Sequence, residues 1–251
     1  MNPTSRFLVL AVISTCLMSA SGCVCVTGGG GNPNTPGTAL VTWRFPDNAT
    51  CANAVPLAGE GIATVDIFVD NGSASRQSCS AGIASGSGLQ ISSLARGRHT
   101  IELRAYGTSG YQYFGVVNTI DITAGGTSAG EFSLQYVVGG FPVKWQFVAG
   151  NTAVTCADIG NPMVYINLKD GSGSFVYADA GQPVPCRDGQ GVQGAYFPYL
   201  YGGTYQLYIQ AVGSGNVLYR SNQNNPPSIA VTAGSFPALT ANTFAFNVTN
   251  P

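Results

Sequence analysis

The sequence predicts an all-β protein built as two tandem β-sandwich domains, and three observations predict it. Apolar and polar residues alternate in short blocks, which is the period of a strand that buries one face. Gly and Pro interrupt every window long enough for a helix, and only 8% of the 251 residues are charged, so helix-favouring Lys and Glu are scarce. The alternating blocks also occur twice, in one order, along the chain.

The duplication is read residue by residue. Val41-Thr42-Trp43-Arg44-Phe45 matches Val143-Lys144-Trp145-Gln146-Phe147. Cys51-Ala52 matches Cys156-Ala157, the run Val65 to Val69 matches Val164 to Leu168, and Cys79 matches Cys186. Leu94 to Ala105 matches Leu200 to Ala211, Ile120 to Gly125 matches Ile229 to Gly234, and Phe132-Ser133-Leu134 matches Phe244-Ala245-Phe246. The offset drifts between 99 and 112, reaching its largest value at the last match, as loops differ in length. Alternation turns Val41, Trp43, Phe45, Ile101, Leu103 and Ala105 inward, and Thr42, Arg44, Glu102 and Arg104 outward. Roughly six or seven short strands per repeat make a sandwich. The expected bounds are residues 39–137 for the first and 138–251 for the second.

Ahead of the repeats stands a leader. Arg6 supplies a positive charge, an apolar run from Phe7 to Met18 follows, and small residues lead from Ser19 to Gly22. These are the parts of a signal peptide over residues 1–22. The run is too short for a bilayer core, which takes roughly 20 apolar residues. Residues 23–38 are dominated by Gly, Pro, Asn and Thr, a composition that buries no core and reads as a flexible tether.

The segment Ala20-Ser21-Gly22-Cys23 resembles the bacterial lipobox. The resemblance implies cleavage before Cys23, diacylglycerol on its thiol and an acyl group such as palmitate on its new amine. Several acyl chains anchor stably where one holds marginally. Val24 stands where an aspartate would retain a proteobacterial lipoprotein at the inner membrane, so the analogy favours the outer membrane.

Of the seven cysteines, Cys16 leaves with the leader, Cys23 is the lipid site and Cys25 is left over. Cys51 with Cys79, and Cys156 with Cys186, form two similarly spaced pairs, one in each repeat. In an oxidising compartment this reads as two disulfides. Each loop closure is worth roughly 3–4 kcal/mol in the chain-entropy account. The alternative, a four-cysteine metal site, prefers close C-x-x-C pairs, which the sequence lacks.

The repeated block Leu-x-x-Gly-x-(His/Tyr)-x-aliphatic-x-aliphatic-x-Ala resembles a turn-and-strand element of exported sandwich modules in the immunoglobulin-like, transthyretin-like and carboxypeptidase-regulatory-like groups. The resemblance implies a glycine turn and an aromatic residue at a corner, filled by His99 in the first repeat and Tyr205 in the second. Both tryptophans precede their cysteine pairs, so the antibody-type Cys…Trp…Cys order is absent.

Other motifs are weighed against turns and packing. Asp170-Gly171-Ser172-Gly173-Ser174 is a literal D-x-S-x-S, the metal-binding spacing of an α/β domain. Here it follows a strand-like run without helices, so a hairpin turn is expected there and at Asp70-Asn71-Gly72. Gly189 to Gly194 spells G-x-G-x-x-G without the strand and helix a dinucleotide needs. His99 is the only histidine, no G-x-S-x-G elbow exists, and no acid/base pair is evident. No catalytic residue, cofactor or metal is therefore expected. Removing the leader removes Arg6 and leaves the chain slightly acidic, which argues against nucleic acid.

The functional clue that remains is the aromatic content of the second repeat: Tyr196, Phe197, Tyr199, Tyr201, Tyr205, Tyr208 and Tyr219. Alternation turns Tyr205 inward and Tyr208 outward between Gln206 and Gln210, a platform for a sugar or peptide. The expected function is a non-enzymatic, membrane-anchored surface lipoprotein in a structural, adhesive or protein-interaction role, with an envelope protein as partner. The alternative is a carbohydrate-binding lipoprotein using the aromatic residues of the second repeat.

Overall fold

The computed structural model describes residues 34–55, 60–84, 87–186, 194–238 and 245–249. The signal peptide, Cys23, Cys25, the tether through residue 33, most of the Gly189–Gly194 loop and Phe244 lie outside the described residues.

The first half contains β1 (Gly37–Arg44), β2 (Ile62–Val69), β3 (Ser75–Ser78), β4 (Leu89–Leu94), β5 (Gly97–Gly107), β6 (Gln112–Ile122), β7 (Thr127–Ser133) and the short β8 (Gln135–Tyr136). They form a three-stranded sheet in the order β4-β1-β7 and a five-stranded sheet in the order β3-β2-β5-β6-β8. The second half contains β9 (Val138–Ala149), β10 (Thr152–Val154), β11 (Met163–Lys169), β12 (Gln182–Pro185), β13 (Gly194–Tyr201), β14 (Gly203–Val212), β15 (Leu218–Arg220), β16 (Ser228–Val231) and β17 (Ala245–Thr249).

Several pairings recur between the halves. β1 pairs antiparallel with β4 and parallel with β7, while β9 pairs antiparallel with β13 and parallel with β17. β2 pairs antiparallel with β3 and β5, as β11 does with β12 and β14. Where the long β6 lies against β5, two short strands, β15 and β16, lie against β14. A single bridge, Arg220 with Thr249, then links the two layers of the second half into one continuous sheet.

The core follows the alternation. Val41, Trp43 and Phe45 are buried while Arg44 is exposed, and Ile101, Leu103 and Ala105 are sealed from solvent. Glu102 and Arg104 sit on the outer face and pair with each other at 2.6 Å, with the Arg104 guanidinium over the Phe68 ring. Two buried clusters result, one running from Ala39 to Val138 and one from Val143 to Val248. Disulfides Cys51–Cys79 and Cys156–Cys186 both form, with Cα atoms 5.9 and 5.7 Å apart. The fold is all-β, with two disulfide-bonded sandwiches. No helix among the described residues is long and apolar enough to cross a membrane.

Candidate functional site: an aromatic cleft between the sandwiches

The chain passes from one sandwich to the other without a loose linker. Val137 donates its N–H to the Tyr113 carbonyl at 2.9 Å, and its own carbonyl accepts from the Gly202 N–H at 3.1 Å. The Val138 carbonyl accepts from Gly234 at 2.8 Å, and the Gly140 N–H reaches the Ser235 carbonyl at 2.7 Å. Each bond ties the crossing to an element beside it. Glycine is required at Gly139, where a Cβ would lie 2.1 Å from the Thr232 carbonyl oxygen.

Across from this crossing, β13 is bulged. Phe197 faces Phe141 and Leu200 faces Gly139, so Pro198 and Tyr199 together oppose Gly140 alone. Tyr199 takes a φ of 62°, a left-handed conformation that costs a bulky residue about 1–3 kcal/mol. A bulge of this kind re-aims a side chain. Here the Tyr199 ring leaves its own sandwich and meets Tyr113 of the first, edge to face at 5.0 Å, while also approaching Phe236. Its carbonyl accepts the Tyr111 hydroxyl at 2.6 Å. Tyr111 stacks on Tyr201 with centroids 5.1 Å apart, and Tyr136 meets Phe236 at 5.5 Å. Such pairs are worth about 0.5–1.5 kcal/mol each beyond the area they bury.

Two polar side chains fix the walls. Glu60 accepts hydrogen bonds from the Tyr113 hydroxyl, from Thr108 Oγ1 at 2.7 Å, and from Ser109 Oγ at 3.0 Å and N at 3.2 Å. These donors, Tyr113 first, hold its carboxyl down at about 2 against partial burial. On the opposite wall, buried Asn167 binds the backbone of Tyr177 twice, donating to its carbonyl at 3.0 Å and accepting from its N–H at 3.2 Å. That amide stands in for a strand partner where the chain has left β11.

Between these walls lies a cleft of about 510 Å³, lined by residues that include Ser109, Tyr111, Tyr113, Val176, Tyr177 and Tyr199. Among the described residues no charged residue lines it. Burial pushes the Tyr113, Tyr177 and Tyr199 phenols up to about 12 and raises Tyr111 further, so all four are neutral at physiological pH. In Tyr113 the hydrogen bond to Glu60 adds to burial, and in Tyr111 the neighbouring tyrosines do.

The predicted platform lies elsewhere. Tyr208 is on the outer face of β14 and half-buried, with Phe175 edge-on at 5.4 Å and its hydroxyl 3.3 Å from Gln206 Oε1. Gln210 lines the adjoining hollow of about 110 Å³, well under the roughly 300–1,000 Å³ of ligand pockets. Tyr205 and Tyr219 belong to the second core. Asp170 Oδ1 accepts from Ser172 N, Ser172 Oγ and Ser174 N at 2.6–3.0 Å, which closes a hairpin turn. His99 Nε2 donates to the Ala95 carbonyl at 2.8 Å, and the Tyr205 hydroxyl donates to the Tyr201 carbonyl at 2.8 Å, so each makes a corner bond four residues back. The sequence reading missed Tyr111 and Tyr113. The aromatic run Tyr111-Gln112-Tyr113-Phe114 was the signal available for them.

No protein-family model matches the chain, and no curated protein matches it. Among solved structures, the chain is similar to a candidate cell adhesion protein from Bacteroides eggerthii, with 10% identity, a TM-score of 0.43 and 88% of each chain covered. It is also similar to GBS52, the minor pilin of Streptococcus agalactiae, with 8% identity and a TM-score of 0.42, covering 86% of this chain and 96% of that one. Against the Bacillus anthracis TIE protein the identity is 13% and the TM-score 0.34, with 86% of this chain covered, and the chain spans only 34% of that protein's length. Identities this low and superpositions this loose transfer no role.

Proposed function

We propose that this chain is an exported, lipid-anchored surface protein in which two disulfide-closed sandwiches form a structural, adhesive or protein-binding element. The observation that carries the reading is the pair of disulfides, one in each half, which belongs to an oxidising compartment. The leader, the lipobox-like Ala20–Cys23 and the Gly-rich tether supply the anchor in this reading, and the outer membrane is its favoured location. The repeated strand pairings support the two halves, 39–137 and 138–251, being copies of one ancestral unit. In this reading the role is non-enzymatic, and His99, the single histidine, serves a structural corner through Asp70 and the Ala95 carbonyl.

The test is intact mass of the protein from its host membrane, beside a Cys23→Ala variant. The expected result is a chain that lacks residues 1–22 and carries added acyl mass, with the variant released from the membrane. An unacylated mature chain recovered from the medium sinks the anchor. A second reading, a carbohydrate-binding lipoprotein, is favoured by the tyrosine-lined cleft, whose volume and walls suit a ligand better than the hollow beside Tyr208.

A further inference from the structure

We infer that the cleft between the two sandwiches binds a neutral oligosaccharide. The inference rests on the carbohydrate-binding reading and adds its location, its wall residues and the charge class of its ligand.

Size comes first. The cleft's volume of about 510 Å³ lies within the roughly 300–1,000 Å³ of small-molecule sites and holds several sugar rings at most. Shape and rigidity follow. Its walls come from both sandwiches, and each is held from behind: Tyr111 and Tyr113 by hydrogen bonds to the Tyr199 carbonyl and Glu60, and Tyr177 by buried Asn167. Walls already ordered lose little freedom on binding. Tyr199 reaches the cleft through a strained bulge, and strain of this kind persists where the surroundings over-determine it and clusters at ligand clamps.

Chemistry then narrows the ligand. Among the described residues no charged side chain lines the cleft, and the Glu60 oxygens behind it are taken up by Tyr113, Thr108 and Ser109, so an anionic ligand finds no counter-charge among them and a cationic ligand no direct contact with the carboxylate. The Tyr111 and Tyr113 hydroxyls already donate inside the protein, so they meet a ligand through ring faces or acceptor lone pairs. A proline-rich peptide, the other usual guest of an aromatic groove, presents mainly carbonyl acceptors, to which the Tyr111 and Tyr113 hydroxyls have no proton left to donate, so it is the poorer complement. A sugar presents hydroxyl donors, and its C–H faces carry the slight positive charge that suits the negative face of a phenol ring.

The experiment is calorimetric titration of the full processed chain in detergent with three neutral tetrasaccharides: cellotetraose, maltotetraose and tetra-N-acetylchitotetraose. A sulfated tetrasaccharide and a proline-rich decapeptide are titrated beside them. Val176 is 40% exposed at the cleft, so Val176→Glu is expected to abolish binding while leaving the unfolding midpoint unchanged. Tyr177→Ala is expected to weaken binding by about tenfold or more, and Tyr208→Ala to leave it unchanged. Binding by at least one neutral sugar with this pattern supports the site. Sugar binding that survives Val176→Glu but is lost in Tyr208→Ala overturns the site while keeping the carbohydrate reading. Binding of the sulfated sugar or the peptide alone, or no binding at all, overturns both and leaves the anchored structural reading untouched.

Discussion

The two sandwiches solve the same structural problems with different chemistry. In the first, the Trp43 indole donates to the Cys79 carbonyl at 3.0 Å, which ties the core aromatic to the disulfide. In the second, Trp145 occupies the matching strand position with its indole N–H buried and without a partner among the described residues. In the first, the corner is His99, bonded to Asp70 and to the Ala95 carbonyl. Both of those partners accept, so both bonds are made only by the doubly protonated ring, and together they raise its pKa above 6.5. In the second, the corner is Tyr205, a neutral phenol making one bond. The difference teaches that a scaffold can hold its strand order while one half acquires a charged, pH-sensitive closure and the other a neutral one.

The largest expected effect separates the halves. Replacing Cys51 and Cys79 with serine is expected to cost about 2–5 kcal/mol. The chain has two tryptophans, one in each sandwich, so chains retaining only one of them report each half by fluorescence during urea unfolding. The Trp43 transition is expected to fall while the Trp145 transition stays. If both fall together, the junction makes the molecule a single cooperative unit.

Next comes Gly82→Ala. A Cβ there would sit 2.3 Å from the Trp43 ring, and overpacking of this sort costs about 1–3 kcal/mol. A normal midpoint in thermal unfolding would mean that Trp43 is free to shift. A smaller contrast is Trp43→Phe against Trp145→Phe. Both lose ring volume, but only the first loses a hydrogen bond, the one to the Cys79 carbonyl, a further penalty of about 1 kcal/mol. Equal losses would erase this distinction between the halves.

The smallest effect is a pH slope. The hydrogen bonds to the Ala95 carbonyl and to Asp70 raise the His99 pKa above its ordinary 6.5. The imidazolium therefore stabilises the fold fully below pH 6.5, and that contribution is lost as pH rises through the raised value. Glu60 has the opposite sign. Its contribution is present above its ordinary 4.5 and disappears as pH falls toward about 2. Asp70, lowered from 3.8 by the Thr100 backbone bond first and by His99 next, is also lost on the acid side. His99→Tyr, which installs the second sandwich's solution, is expected to flatten the alkaline slope of the Trp43 transition. An unchanged slope would show that the charge on His99 contributes nothing measurable.

Much of the fold was legible because alternation is local. Trp43, Leu103 and Ile209 face the core as the period-two pattern requires, and the cysteines pair as their spacing suggested. The turn at Asp170 follows from short polar side chains that bind their own backbone. The cleft was not legible. It depends on a bulge that sets two residues of β13 against one of β9; Pro198 hints at an irregularity there, but not at which ring the bulge re-aims. For Tyr208, alternation says which face the ring takes and nothing about its neighbours. That Phe175 from the Asp170 turn meets the Tyr208 ring edge-on at 5.4 Å is a tertiary fact.

The parallel pairing of β1 with β7 has a mechanical consequence. Their register runs unbroken from Thr38 with Thr127 to Arg44 with Ser133, so the strand that enters the first sandwich lies alongside the one that precedes its exit. Tension applied between the two ends pulls these strands past each other along their length, loading the ladder in shear, so its bonds must yield together instead of unzipping one by one. β9 and β17 repeat the arrangement from Ala245 with Lys144 to Thr249 with Val148. Behind each clamp, a disulfide caps how far the chain can extend once the clamp gives way.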